Sequence, residues 1–537
     1  MTATPKATAW SPLRRRLFRA LWIADVASNV GTWMHDSAAA WLMALLAPSP
    51  LMVSLVQAAT TLPLFLLALP AGALADVLDR RRILVVAQVW LFLVTALLGV
   101  LTISGVVQPW MLLVITLAIG AGSAIDLPAW QAIIPEAVSR EELPAAVGLG
   151  SVAINIARAV GPGIAGVIIA ASGPGPVFLI NAASVVGVCY VLLRWRRESH
   201  RAALPAERLA SAMRAGVRYV RYAPALRTVA VRTPAFVGFA SALWALLPLV
   251  VKTSLGRGPV SYGALVGSLG VGGLLGAALL PTWRKRWSTD TITAGATAAF
   301  AFGCLALAWV SNFAILIGAM VIAGAGWLTT VSSFLLAAQR GAAGWVRGRA
   351  LAISTLTLFG SLAIGAVLWG VVANRVGIDW ALAAAGGGML LGLGLIPRFR
   401  LAAAEGMDLE PSRNWPDPVV AGDLAADAGP VLVTVDYTVE PAQRAAFAAA
   451  MRRLLRPIRR RDGAVFWELF VDVANPKRCV ECFLVESWAE HLRQHDRATK
   501  SDREVEDTIR TFYTGDERTT HFVALSAANV SPPEVIP

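Results

Sequence analysis

Four polar side chains stand in an apolar run. Within residues 20–46 the stretch LWIADVASNVGTWMHDSAAAWLM places Asp25, Asn29, Thr32 and Asp36 at i, i+4, i+7 and i+11. On a helix those offsets fall within about 40° of one face. Ionisable groups inside a membrane are costly, and they face a partner, a cavity or a proton path. His35 is their neighbour, and an accessible imidazole titrates near neutral pH. Asn155 and Arg158 form a second polar pair inside the apolar run 144–171. A guanidinium there needs a counter-charge. Asp25 and Asp126 are both available, and the sequence does not choose between them. An uncompensated arginine would instead attract an anionic molecule. Asn181 and Gln57 are further polar residues in apolar runs, and Trp22, Trp33, Trp41, Trp244 and Trp327 could shape an aromatic cavity.

The C-terminal part carries a different chemistry. His491 and His495 are four apart, a spacing that can hold a metal on one helix face. No third ligand follows at motif spacing, so no metal is expected. Trp488, Leu492 and His495 are expected to share an apolar face. Cys479 and Cys482 form one C-x2-C inside the strand-like run CVECFLVES, where positions three apart point to opposite faces. Neither a nucleophile constellation nor a phosphate loop is present. The expectation is no catalytic residue, no cofactor and no enzyme activity.

These residues must be positioned by membrane helices. Of 537 residues 56% are hydrophobic and 15% charged, against about 25% charged in a soluble protein. A spanning helix needs about 20 mostly apolar residues. Twelve such stretches are expected, at 20–46, 51–75, 83–107, 110–127, 144–171, 176–193, 228–251, 260–281, 291–310, 313–338, 350–373 and 377–397. No cleavable signal peptide is expected, because the first apolar run is too long for one. Arginines at 14–16, 80–82, 140, 194–201, 284–286, 340–349 and 398–400 alternate with loops holding only Lys252, Arg257 and Arg375. That asymmetry puts both ends of the membrane part in the cytoplasm. It also accounts for the net charge of +13 with no nucleic acid as partner.

The expected fold is an all-α polytopic bundle, 6+6 helices, with a C-terminal α+β domain. Residues 1–193 form the first bundle, 194–227 a cytoplasmic loop, 228–400 the second bundle and 401–429 a linker. Residues 430–525 form the cytoplasmic α+β domain and 526–537 a tail. In that domain VLVTVDYTV alternates like a strand, and Phe447, Ala450, Met451, Leu454, Leu455 and Ile458 repeat like a helix. The order β-α-β-β-α-β is the ferredoxin-like split.

Gly72 with Arg80–Arg82 has the same spacing as Gly276 with Arg284–Arg286, with Leu280 where Asp76 would be. Such an internal repeat is typical of major facilitator transporters. The stretch GALADVLDRRR, with Gly72, Leu74, Asp76, Asp79, Arg80, Arg81 and Arg82, resembles that family's loop between helices two and three. The resemblance implies a gate hinge, in which a carboxylate caps a neighbouring helix and pairs with arginine. It also implies a close approach of helices two and eleven. Gly150, Ala157, Gly161, Pro162, Ala165 and Gly166 resemble the fifth-helix motif of drug and proton antiporters, with two glycines replaced by alanine. At helical spacing they make a small-residue stripe that admits another helix at close range. The arginine expected on the fourth span is absent. SPLMVSLVQAATTLP and LPAWQAIIPEAV resemble the enterobactin-exporter-like transmembrane secretion effector branch. VESWAEHLRQHDR resembles antibiotic-biosynthesis-monooxygenase-like domains, which implies a homodimer through this part.

The resemblance implies a secondary active exporter of a small organic molecule (a siderophore, drug or secondary metabolite) in the cytoplasmic membrane. Alternating access, driven by protons, would carry it. An importer on the same fold and a membrane-tethered enzyme acting through 430–525 are the alternatives.

Overall fold

The computed structural model describes residues 10–77, 79–139, 141–195, 209–401, 407–412, 424–425 and 427–524. The first half contains α1 (Arg16–Leu46), α2 (Pro50–Val77), α3 (Arg80–Ile103), α4 (Pro109–Ala137), α5 (Leu143–Ser172) and α6 (Gly175–Arg194). A short helix, α7 (Leu209–Tyr222), lies in the loop between the halves. The seventh span begins with α8 (Pro224–Thr233), passes through a π turn into α9 (Phe239–Leu249) and ends in a second π turn. It is followed by α10 (Pro259–Arg284), α11 (Thr289–Trp309), α12 (Phe313–Arg340), α13 (Arg347–Val376) and α14 (Ile378–Gly392).

Eleven of these segments, among the described residues, are long and apolar enough to cross a membrane. The twelfth expected span is α1. It has 31 residues, but its Asn, Thr, His and Asp side chains lower its hydropathy. Punctuation residues set the helix ends. Pro109, Pro144 and Pro259 occupy first-turn positions, where a missing N–H costs nothing. Asp79 and Ser288 cap α3 and α11 by accepting from Arg82 N and Thr291 N. Gly173, at φ +79°, ends α5.

The bundle is held by close helix pairs. α1 packs on α5 and α6, α3 on α4 and α6, α2 on α4, and α5 on α10. The faces turned away from these contacts expose Val86, Trp90, Leu93, Leu97 and Val100 on α3. Such a surface is costly in water and suits hydrocarbon.

The α+β domain folds as expected from its alternation. β1 (Val431–Thr438), β2 (Phe466–Val471), β3 (Arg478–Val485) and β4 (Thr514–Val523) form an antiparallel sheet in the order β2-β3-β1-β4. Its helices are α15 (Arg444–Ala450), α16 (Arg456–Asp462), α17 (Trp488–Arg497) and α18 (Lys500–Arg510). Val431, Val433, Val435 and Tyr437 are buried with Phe447, Met451, Leu455, Trp467 and Phe483. Among the described residues, 209–230 and 335–353 group with those from 401 onward as one compact unit. That grouping joins two connections between membrane helices to the C-terminal domain.

Candidate functional site

The polar stripe of α1 is built as its spacing dictates. Asn29 donates to the Asp25 carboxylate at 2.9 Å and to its backbone carbonyl at 2.8 Å. Asp25 lines a small cleft with Trp22, Trp130, Ile134 and Gly150. Thr32 is exposed and bonded to its own helix, through the Ser28 carbonyl. Asp36 is half-buried. His35 is buried, its ring 4.8 Å from Phe178, and neither nitrogen has a hydrogen-bond partner among the described residues.

Arg158 takes neither of the two expected counter-charges. Its guanidinium lies 5.0 Å from the Trp33 ring of α1, a cation–π contact. Among the described residues no carboxylate comes within ion-pair distance of it, and its buried Nε has no hydrogen-bond partner. Asp126 instead accepts from Gln88 of α3 at 2.9 Å. Asn155, one turn before Arg158, donates to the Ser151 carbonyl and leaves its buried Oδ1 without a partner. Trp33 continues into an aromatic chain. Trp244 is 6.3 Å from Trp33 and Trp327 is 5.6 Å from Trp244. Two tryptophans from the second half thus meet the first half beside Arg158.

The small-residue stripe of α5 forms the seam between the halves. Ala157, Gly161, Pro162, Ala165 and Gly166 are all buried. A Cβ at Gly166 would come within 2.6 Å of the Pro259 carbonyl of α10, and one at Gly161 within 2.9 Å of Trp33. From the facing side, a Cβ at Gly263 would strike the Pro162 carbonyl at 2.3 Å and one at Gly270 the Ala159 Cα at 2.5 Å. Only glycine permits these approaches. The seam does not run the length of α5, because a Cβ at Gly150 would meet nothing within 4 Å. Further contacts between the halves lie at the same, arginine-poor end. Lys252 donates to the Ala44 carbonyl at 2.5 Å, and Ser49 bonds Asn374 at 3.4 Å. The approach of α2 to α13 is also present. It is made at Gly360 against Phe65 and at Gly370 against Ser54.

The arginine-rich ends are tied within each half. Arg80 pairs with Glu136 at 3.0 Å, and Arg81 donates to the Leu192 and Leu193 carbonyls that end α6. Arg15 pairs with Glu142, and Arg232 with Asp290. Asp79 caps α3 with its carboxylate, Arg82 giving the capping N–H. Leu74 is exposed. Gly72 and Asp76 end α2, and the side chain at Asp76 lies outside the described residues.

In the C-terminal domain the helix face differs from the expected one. Trp488 and His491 are buried and His495 half-buried, whereas Leu492 is 42% exposed. Ser487 caps α17 at Glu490 N. Trp488, His491 and Gln494 then face inward, with Gln494 Oε1 3.3 Å from His491 Nδ1. The sequence also misses a third histidine. His521 of β4 lies 4.6 Å from His491, ring to ring. Thirty residues separate them, and only sheet pairing joins them. No cluster of three or more metal-type ligands occurs among the described residues. Cys479 is buried and Cys482 half-buried, both free. Also unforeseen is a buried ion network in which Glu481 accepts from Arg459 (3.1 Å), Trp467 (2.7 Å) and Tyr437 (2.9 Å).

Residues 7–530 match the sequence model of the family described as transmembrane secretion effector. The multidrug efflux pump Tap of Mycolicibacterium fortuitum is 28% identical over 404 residues, 73% of this chain and 96% of that protein. The staphyloferrin A transporter of Staphylococcus aureus is 34% identical over 164 residues, which is 30% of this chain and only 40% of that protein. Among solved structures, an inward-facing bacterial homologue of the lysosomal transporter Spinster superposes with TM-score 0.56. It is 13% identical and covers 73% of this chain and 97% of its own. An inward-facing bacterial homologue of the iron transporter ferroportin also gives 0.56, at 15% identity over 72% of this chain and 98% of its own.

Proposed function

Because the chain belongs to the transmembrane secretion effector family, membrane transporters of the major facilitator type, we propose that it exports a small organic molecule by alternating access. The observation that carries this reading is the seam between α5 and α10. It is closed from Gly166 to Arg158 and free at Gly150. With the arginine-rich ends in the cytoplasm, this is an inward-facing arrangement, ready to load from the cell interior. Arg158 and the Trp33–Trp244–Trp327 chain stand where the seam closes. An uncompensated cation beside aromatic rings suits an organic molecule with an acidic or aromatic group.

Asp25 is the carboxylate assigned to proton coupling, since it lines the cleft that reaches Gly150. The relatives named for drug efflux and for a siderophore support a substrate of that size class. The C-terminal domain is assigned a regulatory or dimer-forming role. β2 is an edge strand that exposes Phe466, Phe470 and Val471, a surface that a second copy could cover.

Inverted membrane vesicles test the reading. With an imposed proton gradient, siderophores and hydrophobic antibiotics are screened for accumulation. Gradient-dependent uptake into inverted vesicles is the expected result. Uptake only into right-side-out vesicles would make the chain an importer. Chemical conversion of the compounds, lost when residues beyond 400 are removed, would make it a tethered enzyme.

A further inference from the structure

The C-terminal domain holds an open-mouthed cavity of about 550 Å³ between its sheet and its helices. That is within the range of sites for small organic ligands. Its apolar wall comes from Val433, Val435 and Phe483. Its polar end is His491, only 1% exposed, whose Nε2 has no hydrogen-bond partner among the described residues. His521 stands opposite Val433 in the β1–β4 register, which puts it on the cavity face. Burial pulls the His491 imidazole down to about 4, with repulsion from His521 adding to it. At cytoplasmic pH it is therefore neutral, able to donate or accept one hydrogen bond. The cavity's Arg459 is matched by Glu481 at 3.1 Å and Glu506 at 3.4 Å. Glu506 and Glu517 stand with Arg459 and Arg518 in the lining, so its carboxylates and guanidiniums balance and the site suits an uncharged occupant.

The helix that carries the pocket histidines also carries a clamp. Glu490, next to His491, accepts from Arg218 of α7 at 2.9 Å and from Arg497 at 2.6 Å. Arg497 lies 4.3 Å from the Trp345 ring. Tyr219 accepts from Ala343 N at 3.1 Å. α7 sits in the connection between α6 and α8, and residues 341–346 connect α12 to α13. One helix, α17, therefore touches the cavity on one side and both connections between membrane helices on the other.

We infer that the C-terminal domain is a ligand sensor: an uncharged hydroxylated aromatic molecule binds beside His491, and α17 passes its presence through Glu490 to α7 and residues 341–346. The regulated activity rests on the transporter reading, but the sensor itself does not. Its test needs no transport. The full chain in lipid nanodiscs is titrated with naphthol by calorimetry, and amide exchange is followed with and without it.

Saturable binding is expected, at least about tenfold weaker in His491→Leu, which removes a buried hydrogen bond. Thr519→Trp, at an exposed position of β4 on the cavity face, is expected to fill the mouth and abolish binding without touching the core. Naphthol is expected to change amide protection in Leu209–Tyr222 of the wild type. Glu490→Gln should bind naphthol as the wild type does but show no such change. Binding that is absent, or equal in the wild type and Thr519→Trp, would overturn the site. Binding with unchanged protection in α7, or changed equally in Glu490→Gln, would overturn the link.

Discussion

The membrane bundle and the C-terminal domain both take arginines out of water, and one of these arginines, Arg158, is treated unlike the others. Arg459 and Arg461 of the C-terminal domain are each held by two carboxylates. In the bundle Arg232 is likewise paired, with Asp290, whereas the half-buried Arg158 faces a tryptophan ring and leaves its Nε without a partner. Burying a charge is costly unless it is paired and hydrogen-bonded. In the C-terminal domain the pairing satisfies the fold, and the charges stay matched. At Arg158 the polarity is unmatched beside the seam, where a substrate or a proton can complete it. The difference separates arginines that hold structure from one that is available for function.

That contrast can be tested in four ways. The largest effect is expected from Arg461→Leu, which leaves Asp462 and Asp502 buried together; it should cost about 3–5 kcal/mol. The readout is the urea midpoint for proteolytic loss of the C-terminal domain in the intact protein. An unchanged midpoint would mean the network is not structural. Next comes acid. Because burial lowers the folded His491 from 6.5 to about 4, the unfolded chain takes up the proton first as pH falls. Stability is intact above pH 6.5 and lost between there and about 4, by on the order of 3 kcal/mol. His491→Leu should flatten that part of the pH profile.

Smaller still is the seam. Gly270→Ala should cost about 1–3 kcal/mol, since its Cβ has no room. Gly150→Ala should stay within about 0.5 kcal/mol, as at an open surface. Equal melting shifts for the two would deny that the seam ends before Gly150. Asp25→Asn should leave melting unchanged while lowering gradient-driven transport about tenfold, about 1.4 kcal/mol. Its residual rate should no longer follow pH. Full pH dependence in this variant would remove Asp25 from the proton path.

Much of this architecture is legible in residue order. Apolar runs and arginine placement mark the membrane helices because a bilayer imposes one length and one polarity rule. Alternation marks β1 because its faces differ in burial: Val431, Val433 and Val435 point inward. The stripe on α5 is legible because helix spacing alone puts its small residues on one side. Residues joined through tertiary contact are not. His521 reaches His491 only through the β1–β4 pairing, and Arg459 reaches Glu481 across a helix and a strand. Arg158 shows the same limit. Its charge predicts a carboxylate, but the fold brings Trp33 to it. α7 escaped notice because it is amphipathic and short, and Tyr219 on it is buried by contacts that sequence order does not show, against Trp345 and Arg461.

The most direct test of the unmatched arginine is transport by Arg158→Gln in inverted vesicles, set beside the melting temperature of the same purified protein. The account predicts that gradient-driven uptake falls at least about tenfold while the melting temperature stays at the wild-type value. Wild-type uptake, or a loss of uptake that merely follows a loss of folded protein, would contradict it.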